Sequence, residues 1–346
     1  KSKFMEMRVL PKDIELDTVF VDIHCIGKNP MGEGIIINVN CKDKSIYSGI
    51  IDEGFNKKIF EENKIEKLNF ICWSHPHDDH TNGIKEVIGK YTDKNTMIIV
   101  PCGISDVKRK MTPLCKKTYK PIKKINSRGK KRDGEYIEVS QFTVLPTIKF
   151  VDQRGKELII GIKTISPVSK RINNLRNNKE VNLNELSICM IISINGVEFL
   201  FTGDIYNNVI NEMNINKEDI KNIVYYKIPH HGSNKSNNLL LNIEDIDNDT
   251  NKIAVSTIYK KNGEDKTPNY ELLEGYIKRG MKVYCTSSSY LKGTNATCDF
   301  GVISTRIAMN LERYSNVLNW DIKFEGEAEE VKKRDSNTLG FEYNAK

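Results

Sequence analysis

The stretch that decides the fold is segment 70–80, which reads FICWSHPHDDH. A short apolar run is followed at once by four potential metal ligands. These ligands are His75, His77, Asp79 and His80. Because a loop that leaves the end of a buried strand can turn all these side chains into one cavity, the segment predicts a metal site at a strand end. Imidazole and carboxylate ligands together suit zinc, manganese or iron.

Two later strand ends carry residues of the same kind. The apolar run 199–201 leads into Thr202-Gly203-Asp204, and the run 223–228 leads into Pro229-His230-His231-Gly232-Ser233. A glycine–aspartate turn alone is more often a helix cap, and a lone histidine pair can be surface decoration. Three such strand ends in one chain instead predict one shared site. Five of the six histidines of the chain belong to it, and His24 is expected to be structural.

The pattern along the chain predicts an α/β protein. Short β-branched or aromatic runs between turn residues predict strands at 18–23, 34–39, 45–51, 68–73, 96–100, 136–144, 158–165, 187–194, 197–201, 223–228, 253–258 and 281–285. Apolar residues at helical spacing predict helices within 53–67, 81–91, 204–222 and 270–278. Consecutive strands closed by helices in each half predict an αββα sandwich, with two mixed sheets packed face to face and helices outside.

These segments together resemble the metallo-β-lactamase-fold hydrolases. The motifs HxHxDH, TGD and HHGS carry the resemblance to the superfamily, and it runs from about Val19 to about Thr286. Asn184-Glu185-Leu186-Ser187 ahead of a strand, with HHGS, narrows it to the branch similar to the C-terminal domain of the DNA-uptake protein ComEC. Asp52 follows an apolar strand, as in the turn that precedes HxHxDH in this family.

The resemblance implies a metallo-β-lactamase-like domain over residues 1–290, with 291–346 as an extension packed on it. It implies a site for two divalent metal ions, zinc or manganese. His75 and His77 would hold the first ion, Asp79, His80 and His230 the second, and Asp204 would bridge both. Asp52 would form a hydrogen bond with a ligand imidazole and so fix its orientation. The implied reaction is phosphodiester hydrolysis, with Asp79 and His231 as catalytic residues.

The chain departs from the family at two positions. Most members have a further metal-binding histidine between HxHxDH and the aspartate, but here Asn184 and Ser187 occupy that neighbourhood. The family often has a histidine before the late proline, where this chain has Thr267. If that histidine assists the leaving group, either His231 replaces it or the activity is reduced. Ser233 and Thr267 are expected beside the substrate.

A strongly basic segment lies between the two halves. Residues 108–132 hold 12 lysines and arginines and no acidic residue, whereas the rest of the chain has 41 basic and 46 acidic residues. Its spacing predicts an extended loop or hairpin, which the resemblance would put near the mouth of the site. Such a density of charge favours sequence-independent binding of nucleic acid. The twelve are Lys108, Arg109, Lys110, Lys116, Lys117, Lys120, Lys123, Lys124, Arg128, Lys130, Lys131 and Arg132. A weaker stretch, Lys170, Arg171 and Arg176, would extend the groove.

Composition limits the remaining choices. The net charge is +7, and no apolar run approaches the roughly 18 residues of a membrane span. Eight cysteines without a CxxC pair indicate free thiols in a reducing compartment, so a cytoplasmic location is expected. The implied ligand set, the ComEC-like motifs and the basic segment together make a bacterial nuclease the leading expectation. The alternatives are a hydrolase of a small phosphodiester, such as a choline phosphate or a nucleotide, and a catalytically weak binding subunit that works with a partner protein.

Overall fold

The computed structural model of the chain describes residues 5–27, 32–127, 134–177, 180, 182–244, 252–261, 264–287, 301–311 and 317–332. Its strands are β1 (Met5–Val9), β2 (Thr18–Gly27), β3 (Glu33–Cys41), β4 (Lys44–Asp52), β5 (Phe70–Cys72), β6 (Met97–Pro101), β7 (Glu135–Val139), β8 (Thr147–Val151), β9 (Glu157–Ser166), β10 (Cys189–Ile194), β11 (Val197–Phe201), β12 (Ile223–Lys227), β13 (Ile253–Ser256), β14 (Tyr259–Lys261), β15 (Glu264–Thr267), β16 (Lys282–Cys285), β17 (Val302–Asn310), β18 (Val317–Glu325) and β19 (Glu329–Glu330). Its α-helices are α1 (Lys57–Glu62), α2 (Ile84–Val87), α3 (Pro113–Ser127), α4 (Ser169–Arg176), α5 (Asn207–Glu212), α6 (Lys217–Ile220), α7 (Asn238–Leu241) and α8 (Tyr270–Lys278).

The strands form two large mixed sheets and a separate β14–β15 hairpin. The spatial order of the eight-stranded sheet is β18-β17-β2-β3-β4-β5-β6-β7, and that of the nine-stranded sheet is β1-β8-β9-β10-β11-β12-β13-β16-β19. Each sheet combines antiparallel pairs with a run of parallel pairs. The predicted α/β class with two mixed sheets and helices is therefore confirmed.

Three apolar clusters arrange these elements in layers. The largest cluster joins inward residues of both sheets, for example Val21 and Ile37 from one sheet with Ile160 and Phe199 from the other. A second cluster packs α5 and α8 on the nine-stranded sheet, and a third packs α1, α2 and α3 on the eight-stranded sheet. Neighbouring residues of a buried strand belong to different apolar clusters, because successive side chains point to opposite faces of the sheet.

Parallel pairing brings the predicted site segments to one edge of the sandwich. β4 and β5 are parallel, so Asp52 and the loop after Cys72 leave the eight-stranded sheet at the same edge. β11 and β12 are likewise parallel, so Asp204 and the histidine pair leave the nine-stranded sheet together. The topology therefore collects residues from distant parts of the chain before any side chain is considered.

The basic segment differs most from its prediction. The sequence predicts an extended loop or hairpin, yet residues 113–127 form the helix α3. Cys115, Tyr119 and Ile122 are buried against the eight-stranded sheet, while the lysines between them are exposed. The spacing of these apolar residues is that of an amphipathic helix, and burial of this narrow stripe outweighs the mutual repulsion of the lysines. Arg128, Lys130, Lys131 and Arg132 lie outside the described residues.

Other boundaries also shift. The expected strand 136–144 ends at Val139, and β8 follows it as a separate strand. The expected helix 204–222 is two short helices, α5 and α6, because the turn between them includes Asn214 with a φ of 50°. The strand β1 and the helix α4 are not among the predicted elements.

The extension contributes strands to both sheets. β17 pairs with β2 along its whole length, β18 pairs with β17, and β19 pairs with β16. The described part of residues 291–346 is thus built into the sandwich. None of the helices that the structure describes is long and apolar enough to cross a membrane.

Candidate metal centre

The loop after β5 is anchored from beneath by Asp52. Ser74 donates its backbone N–H to Oδ1 of Asp52 and its hydroxyl to Oδ2, both at 2.7 Å. Nδ1 of His80 donates to Oδ2 of the same carboxylate at 2.8 Å. Asp52 itself has a φ of 56°, so the strand ends in a sharp turn that places its side chain under the loop. Its position is the one that the resemblance implies, behind a ligand imidazole.

Four buried side chains form the centre of the site. These are Asp79, His80, Asp204 and His231, whose ligand atoms all lie within 4.8 Å of one another. Nε2 of His80 is 3.4 Å from the Oδ2 atoms of both Asp79 and Asp204. Nε2 of His231 is 3.3 Å from Oδ2 of Asp79 and 3.6 Å from Oδ2 of Asp204. Two imidazoles and two carboxylates therefore converge on one point, as a divalent ion requires.

The histidine pair contributes a different member to this cluster from the one expected. His231, rather than His230, joins Asp79, His80 and Asp204. The physical reason is the backbone, because His230, His231 and Gly232 have successive φ values of 49°, 53° and 76°. This left-handed turn directs the two imidazoles to different partners, and such geometry cannot be read from the letters HHGS. His231 thus has the position of a ligand, rather than that of a free acid in place of the absent family histidine.

His230 and His75 each approach Asp204, although neither belongs to the central cluster. Nε2 of His230 is 4.0 Å from Oδ2 of Asp204 and 3.4 Å from Nδ2 of Asn184. Nε2 of His75 is 3.9 Å from the same Asp204 oxygen and 3.1 Å from Nδ1 of His77. The same carboxylate oxygen of Asp204 thus lies within 4.0 Å of four imidazoles, those of His75, His80, His230 and His231.

Several buried polar atoms of the site have no hydrogen-bond partner of acceptable geometry. They are Nε2 of His80, Nε2 of His231, Oδ1 of Asp204, Nδ1 of His230 and Oδ1 of Asn184. Unsatisfied buried polar groups are uncommon in proteins and each is destabilising by about 1–3 kcal/mol. Because these nitrogen and oxygen atoms are concentrated in one cluster, the residues present fit divalent metal ions well.

The electrostatics divide the histidines into two kinds. Burial lowers the pKa of His75, His77 and His230, so these imidazoles stay neutral and their nitrogens are available as ligands. Burial also opposes a charge on His80 and His231. Nearby carboxylates, with Asp204 the strongest, nevertheless raise both pKa values well above the ordinary value. Protonation of these two imidazoles thus offsets the negative charge of the carboxylates.

The remaining predicted residues lie around the centre. The hydroxyl of Ser187 accepts the backbone N–H of Asp204 at 3.2 Å, so it holds the backbone from which that carboxylate projects. Ser233 accepts the backbone N–H of Lys235 at 3.3 Å and ends the histidine turn. Thr267 closes β15, and its hydroxyl is buried without a hydrogen-bond partner. His24 lies in β2, apart from the cluster, and bonds to Oγ of Ser304 at 2.8 Å; burial lowers its pKa to about 4.

Sequence reasoning missed a second buried carboxylate behind the site. Oε2 of Glu33 lies 3.2 Å from Nδ1 of His231 and 2.8 Å from Nζ of Lys227. Thr257 donates its hydroxyl to the same oxygen. Both residues could have been noticed in the sequence, because each is a charged residue at the end of an apolar strand. Glu33 begins β3, and Lys227 ends β12.

The basic helix α3 is bonded to the loop that follows β5, which carries His75, His77, Asp79 and His80 and is called the metal loop below. Thr112 donates its hydroxyl to Oδ1 of Asp78, and the thiol of Cys115 lies 3.2 Å from the carbonyl oxygen of Pro76. A surface groove of about 400 Å³ runs along α3. It is lined by Lys108, Lys116, Tyr119, Lys120, Lys123 and Lys124. The described part of the basic segment is therefore bonded to the loop of the site at the N-terminal end of α3.

The second basic stretch does not extend this groove. Lys170 and Arg171 pair with Glu212 at 2.7 and 2.8 Å, and Arg176 lies 4.0 Å from Asp106. These partners neutralise the charges that a phosphate would need. The positive surface is thus the helix α3 and the turns before it.

Known proteins add no assignment to this geometry. No protein-family model matches the chain, and no curated protein sequence matches it. The interpretation of the site therefore depends on its residues and their arrangement.

Proposed function

We propose that this protein is a metal-dependent phosphodiester hydrolase, and specifically a nuclease that acts on DNA or RNA with two divalent ions, zinc or manganese. One observation carries the proposal. Three strand ends and the turn at Asp52 converge on a buried cluster whose imidazole and carboxylate atoms lack other partners. The proposal includes the metallo-β-lactamase-like character of the sandwich, which the two mixed sheets and outer helices accommodate.

The residues divide into two ligand groups around Asp204. Asp79, His80 and His231 would hold one ion, and His75 and His77 would hold the other, with His230 and Asn184 beside it. A pair of divalent ions supplies a nucleophile from water near neutral pH and stabilises the negative charge that develops on phosphate oxygens. Asp52 and Ser187 keep His80 and Asp204 in orientation.

Two tyrosine rings pack against histidines of the site. The side chain of His230 is only partly buried and packs against the ring of Tyr206 at 4.9 Å between centroids. Tyr259 packs against His231 at 5.4 Å. These partly exposed groups surround the metal ligands with hydrogen-bond donors and aromatic surface, which suit a phosphate and its neighbouring base or sugar.

The exposed lysines on and before the helix α3 favour a polymeric substrate over a small one. Lys108, Lys116, Lys120 and Lys123 are exposed, and within the described residues none of them is engaged in an ion pair. Since the N-terminal end of α3 bonds to the metal loop, a phosphate chain bound along the helix would be led toward the ligands. A small phosphodiester would gain little from so many positive charges.

The test is cleavage of single- and double-stranded DNA and RNA by metal-stripped protein with added Mn²⁺ or Zn²⁺. The D79A/H80A variant should lose activity by several orders of magnitude, because it removes half of the central cluster. Equal cleavage by the variant and the wild type would overturn the proposal. Hydrolysis of a small chromogenic phosphodiester without any nucleic-acid cleavage would support the small-substrate alternative instead.

A further inference from the structure

A buried ion pair joins the two sheets directly behind His231. Glu33 begins β3 in the eight-stranded sheet, and Lys227 ends β12 in the nine-stranded sheet. The exposed fractions of the two residues are 2% and 0%. Nζ of Lys227 donates to Oε2 of Glu33 at 2.8 Å and to the carbonyl oxygen of Ile228 at 3.0 Å. The pair is therefore fully shielded from water.

Burial of such a pair requires a reason other than stability. The removal of two charges from water is unfavourable, and apolar residues of similar volume are often as stabilising or more so. The surroundings here would accept apolar residues, since the central core lies next to the pair. Glu33 and Lys227 are thus more consistent with a role in orienting a neighbour.

That neighbour is His231. Nδ1 of His231 lies 2.9 Å from Oγ1 of Thr257 and 3.2 Å from Oε2 of Glu33. Because Thr257 donates its own proton to Glu33, its oxygen is free to accept the Nδ1–H of the imidazole. In the neutral ring, the proton of His231 is then held on Nδ1, and Nε2, which faces Asp79 and Asp204, is the nitrogen that an ion can reach.

We propose that Glu33 is the positioning residue that orients His231 as a metal ligand. Lys227 holds the Glu33 carboxylate in place, and Thr257 links that carboxylate to the imidazole. Asp52 occupies the same relation to His80, so each central imidazole has a buried carboxylate behind it. Hydrogen-bonded partners of this kind fix both the tautomer and the ring orientation of ligand histidines. The inference depends on the metal site of the proposed function and extends it to residues that do not reach the ions.

The left-handed backbone conformation of His231 explains why its imidazole needs a positioning residue. The φ of 53° at His231 is unfavourable for a residue with a Cβ, and such conformations persist only where the surroundings fix them. The hydrogen bond that Nδ1 donates to Thr257, together with the Glu33 carboxylate 3.2 Å away, supplies that constraint on the imidazole. Without them, the ring could rotate away from Asp79 and Asp204.

Metal binding by the full chain provides the test. Isothermal titration calorimetry with Mn²⁺ should give two ions per wild-type chain. The variant Glu33→Gln should bind one ion with unchanged affinity and the other about 10–100-fold more weakly. The matched control is Glu212→Gln, which breaks an ion pair with Lys170 and Arg171 away from the histidines and should leave both affinities unchanged.

A double variant separates orientation from stability. Glu33→Leu with Lys227→Met removes both charges, so the chain should fold cooperatively even if Glu33→Gln alone does not. Its weaker ion should show the same 10–100-fold loss as Glu33→Gln. Native affinity for both ions in this folded variant would overturn the inference while leaving the proposed function intact. Failure of the wild type to bind any ion would overturn both.

A spectroscopic measurement tests the tautomer itself. In zinc-loaded, ¹⁵N-labelled wild type, long-range ¹H–¹⁵N spectra should show His231 protonated at Nδ1 with a slowly exchanging proton. Glu33→Gln and the double variant should shift this resonance or lose it, whereas Glu212→Gln should not. An unchanged resonance in the Glu33 variants would contradict the positioning role.

Discussion

Nδ1 of His80 lies 2.8 Å from Oδ2 of Asp52, so a carboxylate at the end of β4 determines which nitrogen of the imidazole enters the site. Ser74 donates twice to the same carboxylate and fixes it on the loop side. The centre is thus a rigid arrangement built on strand ends, rather than a set of side chains on a free loop.

Asp52→Asn should weaken metal binding about 10–100-fold, because the amide of the new residue can present a donor to Nδ1 of His80. Isothermal titration calorimetry with Mn²⁺ or Zn²⁺ measures the change. Asp43→Asn, which alters an exposed carboxylate at the other end of the β3–β4 hairpin, is the matched control and should bind both ions normally. Normal binding by Asp52→Asn would show that this hydrogen bond does not orient the ligand.

The metal-free protein should become less stable as the pH rises above 6.5. The pKa values of His80 and His231 are raised in the folded state, so their contribution is fully present below the unfolded value of 6.5 and is lost as the pH rises through the folded pKa. The pKa values of Asp79 and Asp204 are lowered, so their contribution is present above 3.8 and is lost in stronger acid. Urea denaturation of metal-stripped protein from pH 2 to pH 9 measures both slopes.

Metal affinity should have the opposite pH dependence. An ion that displaces the protons of His80 and His231 gains up to roughly tenfold in affinity per pH unit for each proton released. Titrations at several pH values in buffers of different ionisation enthalpy count those protons. An affinity that does not change between pH 6 and pH 8 would contradict the two raised pKa values.

Metal removal should lower the free energy of unfolding. At a free ion concentration of about 100 times Kd, one bound ion stabilises the folded state by about 2.7 kcal/mol. Denaturation with and without Mn²⁺ should show this difference in the wild type. The variant D79A/H80A should show little of it, and an equal gain in that variant would place the ion elsewhere.

Replacement of Lys108, Lys116, Lys120 and Lys123 by Gln should weaken the binding of nucleic acid. The slope of log affinity against log salt should fall by about 0.7–0.9 for each phosphate that the protein no longer neutralises. Hydrolysis of a small chromogenic phosphodiester should stay the same. The control changes four exposed lysines of other elements, namely Lys217 and Lys221 at α6, Lys278 in α8 and Lys282 in β16, and should leave the slope unaltered.

Gly232→Ala should destabilise the protein by about 1–3 kcal/mol and weaken metal binding. Its φ is +76°, and a Cβ there would lie 2.6 Å from Cβ of Pro268, so the histidine turn would have to move. Gly196→Ala is the matched control, since its φ is +81° but nothing lies within 4 Å of the added Cβ. Chemical denaturation and calorimetry should therefore show a larger effect at Gly232.

The ligand types and their strand ends could be predicted because these are local features of the sequence. The pattern FICWSHPHDDH combines a buried strand with its loop, and parallel pairing of β4 with β5 and of β11 with β12 then determines which ends meet. The choice between His230 and His231 depends on backbone angles, which two identical letters do not reveal. Glu33 and Lys227 were missed because they meet only after the two sheets pack together.

The helix α3 could not be predicted from the sequence for a different reason. The density of lysine in this segment obscures the helical spacing of Cys115, Tyr119 and Ile122 within it. These residues decide the conformation because burial of an apolar stripe, rather than charge, provides most of the stability of a short helix. The charged residues determine only which face remains in water.

The pairing of β17 with β2 has a consequence for the synthesis of the protein. Residues 18–27 leave the ribosome well before their partner strand, residues 302–310, has been made. Throughout that interval the nascent chain presents the N–H and C=O groups of a largely buried strand without their final partner. A chain that ends before residue 302 would therefore expose one edge of β2, next to its partner β3, to pairing with another chain.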